Sequence, residues 1–127
     1  MPDLVSQGVQ INGGAGDDVI FGSNYNDMII GDAGADGMAG GGGDDYYVVD
    51  NVGDLIVENS NGGHDAVECD GVDYRLPSNV EDMYVYGGGL NYYGNRLSNR
   101  IETWDSFSRV VRAAAGDDVV VNHGVLS

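Results

Sequence analysis

From Gly13 the chain divides into consecutive blocks of nine: GGAGDDVIF, GSNYNDMII, GDAGADGMA and GGGGDDYYV. Position one is Gly13, Gly22, Gly31 and Gly40. Position six is Asp18, Asp27, Asp36 and Asp45, and position eight is Ile20, Ile29, Met38 and Tyr47. A fifth block, VDNVGDLIV, keeps Asp54 at six and Ile56 at eight but loses its glycines. A short fixed period restricts a chain to architectures in which each unit packs on its neighbours. The first six residues of a block are turn chemistry, where Gly supplies positive φ. The last three favour strand, with position eight apolar and its neighbours variable, so each strand has a single inward side chain. The expected fold is all-β: a parallel two-sheet solenoid with two nonapeptides per coil. The position-eight side chains fill a thin layer between the sheets.

Composition bears on what stabilises such a stack. The chain has 22 Gly, 21 acidic and five basic residues, for a formal net charge of -16. All the basic residues are Arg, and none precedes Arg75. Nucleic acid and anionic membrane surfaces are therefore poor partners, and a cation is a good one. Coils repeating every two blocks place Asp18 near Asp36, and Asp27 near Asp45. Carboxylates stacked this closely repel unless a cation lies between them. Calcium takes six to eight oxygens and accepts carboxylates and backbone carbonyls alike. Isolated Gly-Asp pairs are ordinary solvated turns; in-frame copies with an apolar position eight argue for calcium. No stretch reaches the roughly 20 apolar residues of a membrane span. The N-terminus has no charged-then-apolar leader, and Cys69 stands alone, so no internal disulfide is expected.

GGAGDDVIF and GGGGDDYYV resemble the G-G-x-G-x-D-x-U-x nonapeptide of RTX (repeats-in-toxin) proteins, a calcium-bound parallel β-roll. The resemblance implies Ca2+ as cofactor. It implies as ligands the position-six carboxylates Asp18, Asp36, Asp27 and Asp45, with Asp54 in a third site. It also implies the carbonyls of the glycine turns: Gly14, Gly16, Gly31, Ala33 and Gly34. The block GDAGADGMA lacks only the second Gly, whereas GSNYNDMII has Ser23 and Tyr25 where Gly belongs. The site between Asp18 and Asp36 is accordingly expected to be the best formed, and that between Asp27 and Asp45 the second.

The 127 residues are expected to form one domain, with regular calcium-binding repeats over 13–57 and degenerate repeats and a cap over 58–127. The frame resumes after a two-residue insertion in SNGGHDAVE, with Asp65 at six and Val67 at eight. YRL (74–76), NVEDMYVYG (79–87) and GNRLSNRIE (94–102) read as further short strands between turns. In GNRLSNRIE Asn99 stands where Asp would, with Ile101 at eight, and Val80, Met83 and Val85 follow no single alternation. This order of segments is similar to those that follow RTX blocks in large secreted bacterial proteins. AAAGDDVVV (113–121) keeps Asp118 and Val120 but has Ala113 and Ala114 for two glycines. A strand with a poor or absent calcium site is expected there, within degenerate coils that cap the C-terminal end.

No enzyme is expected. His64 occupies a turn position facing solvent, no serine sits in a nucleophile elbow, and Cys69 reads as a small buried residue. The C-terminal half carries an Arg and aromatic set: Arg96, Arg100, Arg109, Arg112, Tyr92, Tyr93 and Trp104. Arg forks pair with carboxylates and aromatic faces stack on sugars, so an acidic, alginate-like polysaccharide is an alternative partner. The same Arg residues also serve to neutralise Glu102 and Asp105. The reading is a non-catalytic, calcium-binding module that folds on calcium binding as part of a secreted protein with further domains. The alternatives are a polysaccharide-binding module and the structural spacer of an adhesin.

Overall fold

The computed structural model describes residues 8–59, 63–86, 91–104, 110–112, 116 and 118–123. Among these there is no helix, and thirteen short strands alternate between two sides of a solenoid. On one side β1 (Gln10–Asn12), β3 (Met28–Ile30), β5 (Tyr46–Val49), β7 (Ala66–Asp70), β9 (Asp82–Tyr86), β11 (Arg100–Thr103) and β13 (Val119–Asn122) form one seven-stranded sheet. On the other side the strands form two three-stranded sheets. One is β2 (Val19–Phe21), β4 (Gly37–Ala39) and β6 (Leu55–Ile56); the other is β8 (Tyr74–Arg75), β10 (Asn91–Tyr93) and β12 (Val110–Arg112). Every strand pairing is parallel. This is the parallel solenoid that the nine-residue period predicts, and it is a β-roll.

Register follows the position-eight column. Ile29 pairs with Tyr47, Tyr47 with Val67, Val67 with Met83, and Met83 with Ile101. Opposite them Ile20 pairs with Met38 and Met38 with Ile56. All of these side chains are buried and belong to one core. Longer strands bury a second residue two positions on, giving Val49, Cys69 and Val85. The strand NVEDMYVYG therefore alternates from Met83, while Val80 is buried from the turn before it. At the C-terminal end Val120 keeps its register with Ile101 but is 49% exposed.

The turns explain the glycines. Position two takes a left-handed backbone at Gly14 (φ 82°) and Gly41 (φ 85°), and Asp32 takes the same conformation at φ 64°. Asp tolerates that region better than most residues, so the one missing glycine leaves the turn intact. Position four is also left-handed, at Gly16, Gly34 and Gly43. There the carbonyl of Gly16 occupies the place a Cβ on Gly34 would need.

Candidate metal centre

Each position-six carboxylate reaches back one coil. Oδ1 of Asp36 accepts the Asp18 N–H at 2.8 Å, Oδ1 of Asp45 that of Asp27 at 2.9 Å, and Oδ1 of Asp54 that of Asp36 at 2.9 Å. The pairs Asp18/Asp36, Asp27/Asp45 and Asp36/Asp54 are thus brought together. The series continues further than the sequence reading carried it. Asp65 Oδ1 accepts the Asp45 N–H at 2.8 Å, and Glu81 Oε1 accepts the Asp65 N–H at 2.7 Å. The coil from Asp45 to Asp65 is longer, spanning 20 residues against 18 for Asp27 to Asp45. The next shortens to 16.

The second oxygen separates the sites. Oδ2 of Asp18, Asp36, Asp45 and Asp65 is buried with no hydrogen-bond partner. A buried anionic oxygen without a donor is costly, and its seat is shaped for it. A Cβ on Gly13, Gly31 or Gly40 would run into Oδ2 of the Asp in its own turn, which accounts for glycine at position one. Asp27 and Asp54 differ. Ser23 donates its N–H to Asp27 Oδ2 and its hydroxyl to Oδ1, both at 2.7 Å. Asp54 Oδ2 accepts the Asp50 and Asn51 N–H groups at 3.1 and 3.2 Å. The departures GSNYND and DNVGD therefore supply with their own donors what the glycine turns leave open.

Such oxygens fit a hard cation. The unpartnered oxygens are all carboxylate, and no Lys or Arg precedes Arg75 to neutralise them. Burial pushes the Asp45 carboxyl up to about 7, with the Asp65 and Asp27 charges adding to the shift. Burial likewise pushes Glu58 to about 8 and Asp65 to about 6. Of the glycine-turn residues expected as ligands, Gly14 donates its N–H to Asp32 Oδ2 at 3.2 Å. The Gly31 carbonyl faces Gly13, the Gly16 carbonyl faces Gly34, and Ala33 is exposed at its turn tip. Sequence reasoning left Asp65 and Glu58 out of the site. The frame already put Asp65 at position six. Glu58 follows Gly40 by one 18-residue coil and so holds a position-one seat.

The described members of the Arg and aromatic set lie in strands on both sides of the solenoid and in the turn between them. Tyr93 and Arg112 pair within the β8–β10–β12 sheet. Arg100 lies in β11 of the seven-stranded sheet, with Trp104 just beyond it, and Arg96 lies in the turn between β10 and β11. Tyr92 must be removed from the ligand-facing set: it is fully buried, stacked in register on Tyr74 inside the core. Arg100 Nε is 2.8 Å from Glu102 Oε2, and His123 Nε2 is 2.8 Å from Glu102 Oε1. The Arg75 guanidinium lies 4.6 Å over the Tyr93 ring. Arg96 and Arg75 both line an open groove above Leu76. Arg109 lies outside the described residues. His64 is exposed, with Nε2 2.9 Å from Asp82 Oδ2, and Cys69 is buried.

Residues 12–47 match the family model of the RTX calcium-binding nonapeptide repeat, in four copies. No curated protein and no solved structure matches the chain.

Proposed function

Given four RTX calcium-binding repeats wound into a parallel β-roll, we propose that this chain is a non-catalytic module whose folding is driven by calcium after export from a bacterial cell. The observation that carries this reading is the row of buried, unpartnered Oδ2 atoms on Asp18, Asp36 and Asp45. Calcium held by these carboxylates and the carbonyls of the glycine turns replaces repulsion between coils with a shared counter-ion. Asp18 and Asp36 form the first site, with Gly14, Gly16, Gly31, Ala33 and Gly34 lending the turn carbonyls. Asp27 with Asp45, and Asp36 with Asp54, form weaker ones, since Asp27 and Asp54 already have donors for Oδ2. Ligands assembled only in the fold make binding free energy into folding free energy. Extracellular calcium modules bind with dissociation constants on the order of 10⁻⁴ to 10⁻³ M, so the chain stays loose where calcium is scarce and folds outside. Circular dichroism during a calcium titration, with magnesium as control, tests this. A β signal fully present in excess chelator, with a melting temperature indifferent to calcium, would refute it.

A second reading, polysaccharide binding, is favoured by one feature. Trp104 is 38% exposed and stacks nearly coplanar between Tyr86 and His123, at interplanar angles of 7° and 15°. Retarded migration in an alginate gel, absent in a neutral glucan gel and lost in Trp104→Ala, supports this reading. Unchanged migration leaves the module a spacer.

A further inference from the structure

We propose that Asp45, Glu58 and Asp65 form a further calcium site, next to the Asp27/Asp45 site and sharing Asp45 with it, enclosed within the roll where the regular repeats end. This rests on the calcium-binding reading and adds to it a site built around a glutamate that the nonapeptide does not contain. One oxygen from each of the three side chains lies within 4.8 Å of the others. The residues are 2%, 8% and 0% exposed. Asp45 Oδ2, Glu58 Oε1 and Asp65 Oδ2 are all buried and meet no donor group; without an ion, a proton shared between Glu58 and Asp65 joins that pair.

The remaining oxygens hold the three groups in place. Asp45 Oδ1 accepts the Asp27 N–H, and Asp65 Oδ1 accepts the Asp45 N–H. The Tyr47 hydroxyl accepts the Gly40 N–H at 2.7 Å and donates its one proton to Glu58 Oε2. Asn79 Nδ2 donates to the Glu58 carbonyl at 3.0 Å, and Asn79 itself adopts φ 71°. Each carboxylate thus spends one oxygen on the scaffold and presents the other to a common point. Glu58 stands one coil beyond Gly40, and the coil from Asp45 to Asp65 is two residues longer than the regular one. That extra length accompanies a carboxylate in a seat that is glycine in the four regular blocks. Three hard anionic oxygens in a dry enclosure suit calcium better than magnesium, which holds on to its waters, or zinc, which prefers nitrogen and sulfur.

The test is calcium stoichiometry by equilibrium dialysis of the whole chain, with Glu58→Gln as the variant. The amide keeps an oxygen for Tyr47 and removes the charge. The expected result is a loss of about one ion per chain, with the remaining sites still filling. An unchanged stoichiometry, with the carboxylates holding protons instead, would overturn the site while leaving the turn sites standing. A wild-type chain that binds no calcium at all would instead overturn the reading beneath it. Should Glu58→Gln fail to fold, terbium in place of calcium decides. The Tyr47 hydroxyl is hydrogen-bonded to Glu58, so Tyr47→Phe should remove the largest single share of tyrosine-sensitised emission. Emission equal to wild type would overturn the proposal.

Discussion

The coils between Gly13 and Asp65 and those between Val80 and Asn122 solve one problem differently. In both, a position-six carboxylate accepts the N–H of the residue one coil before. Asp36 does this for Asp18, and Asp118 does it for Asn99, at 2.8 and 2.7 Å. What differs is the second atom. At Asp18, Asp36, Asp45 and Asp65 in the first region it is a buried carboxylate oxygen facing no donor. In the second, Asn99 presents an amide instead. Its Nδ2 donates to the Glu81 carbonyl at 2.9 Å, the Val80 carbonyl at 3.3 Å and Asn95 Oδ1 at 3.0 Å. Asn95 Nδ2 in turn satisfies the Pro77 and Val80 carbonyls at 2.7 Å each. An amide carries its own positive end, and a carboxylate has to borrow one. The same backbone is thus built once to need an ion and once to do without.

Asn99→Asp probes this difference most strongly. It removes three donor contacts and places an unpaired anionic oxygen in a buried seat, which costs about 1–3 kcal/mol or more in chelator. Part of that loss should return when calcium is added, and urea denaturation with and without the ion measures both. If Asn99→Asp were neutral in chelator, the second atom would not be what separates the regions.

Gly40→Ala comes next. Its Cβ would meet Asp45 Oδ2 and the Tyr47 hydroxyl, so a loss of about 1–3 kcal/mol is expected in the calcium-loaded form. Gly37→Ala, where a Cβ meets nothing, should be tolerated, and thermal melts compare the two. Asp36→Ala should weaken calcium binding by on the order of tenfold or more. Asp82→Ala, which removes only an exposed contact to His64, should leave calcium binding unchanged in a calorimetric titration.

A smaller effect is expected from pH in chelator. Burial raises Asp45 from 3.8 to about 7 and Glu58 from 4.5 to about 8. The folded chain therefore holds protons that the unfolded chain releases. That contribution is full below the unfolded values and is lost as pH rises through about 7 and about 8. Urea midpoints in chelator should fall from pH 5 to pH 8, and saturating calcium should flatten the trend by displacing those protons.

The nine-residue frame made the coil, the inward column from Ile20 to Tyr47 and the Asp18/Asp36 pairing legible, because each depends on spacing alone. It held as expected at Val67 and Ile101, which keep the column through coils of changed length. What depended on side-chain detail was not legible. Ser23 saturating Asp27 and the Asn99 amide standing in for a cation are hydrogen-bond choices that a period does not encode. Tyr92 looked like a surface aromatic because its strand lacks the motif; register with Tyr74 puts it in the core. Glu58 was hidden because the frame resumed only at Ser60, which left Glu58 and Asn59 as an insertion.

Amide hydrogen exchange resolved by residue, in calcium and in chelator, tests the account most directly. The Asp18, Asp36 and Asp45 amides, each bonded to the carboxylate of the next coil, should gain far more protection from calcium than the Asn99 amide. Protection at those three positions that is the same in chelator as in calcium would contradict it.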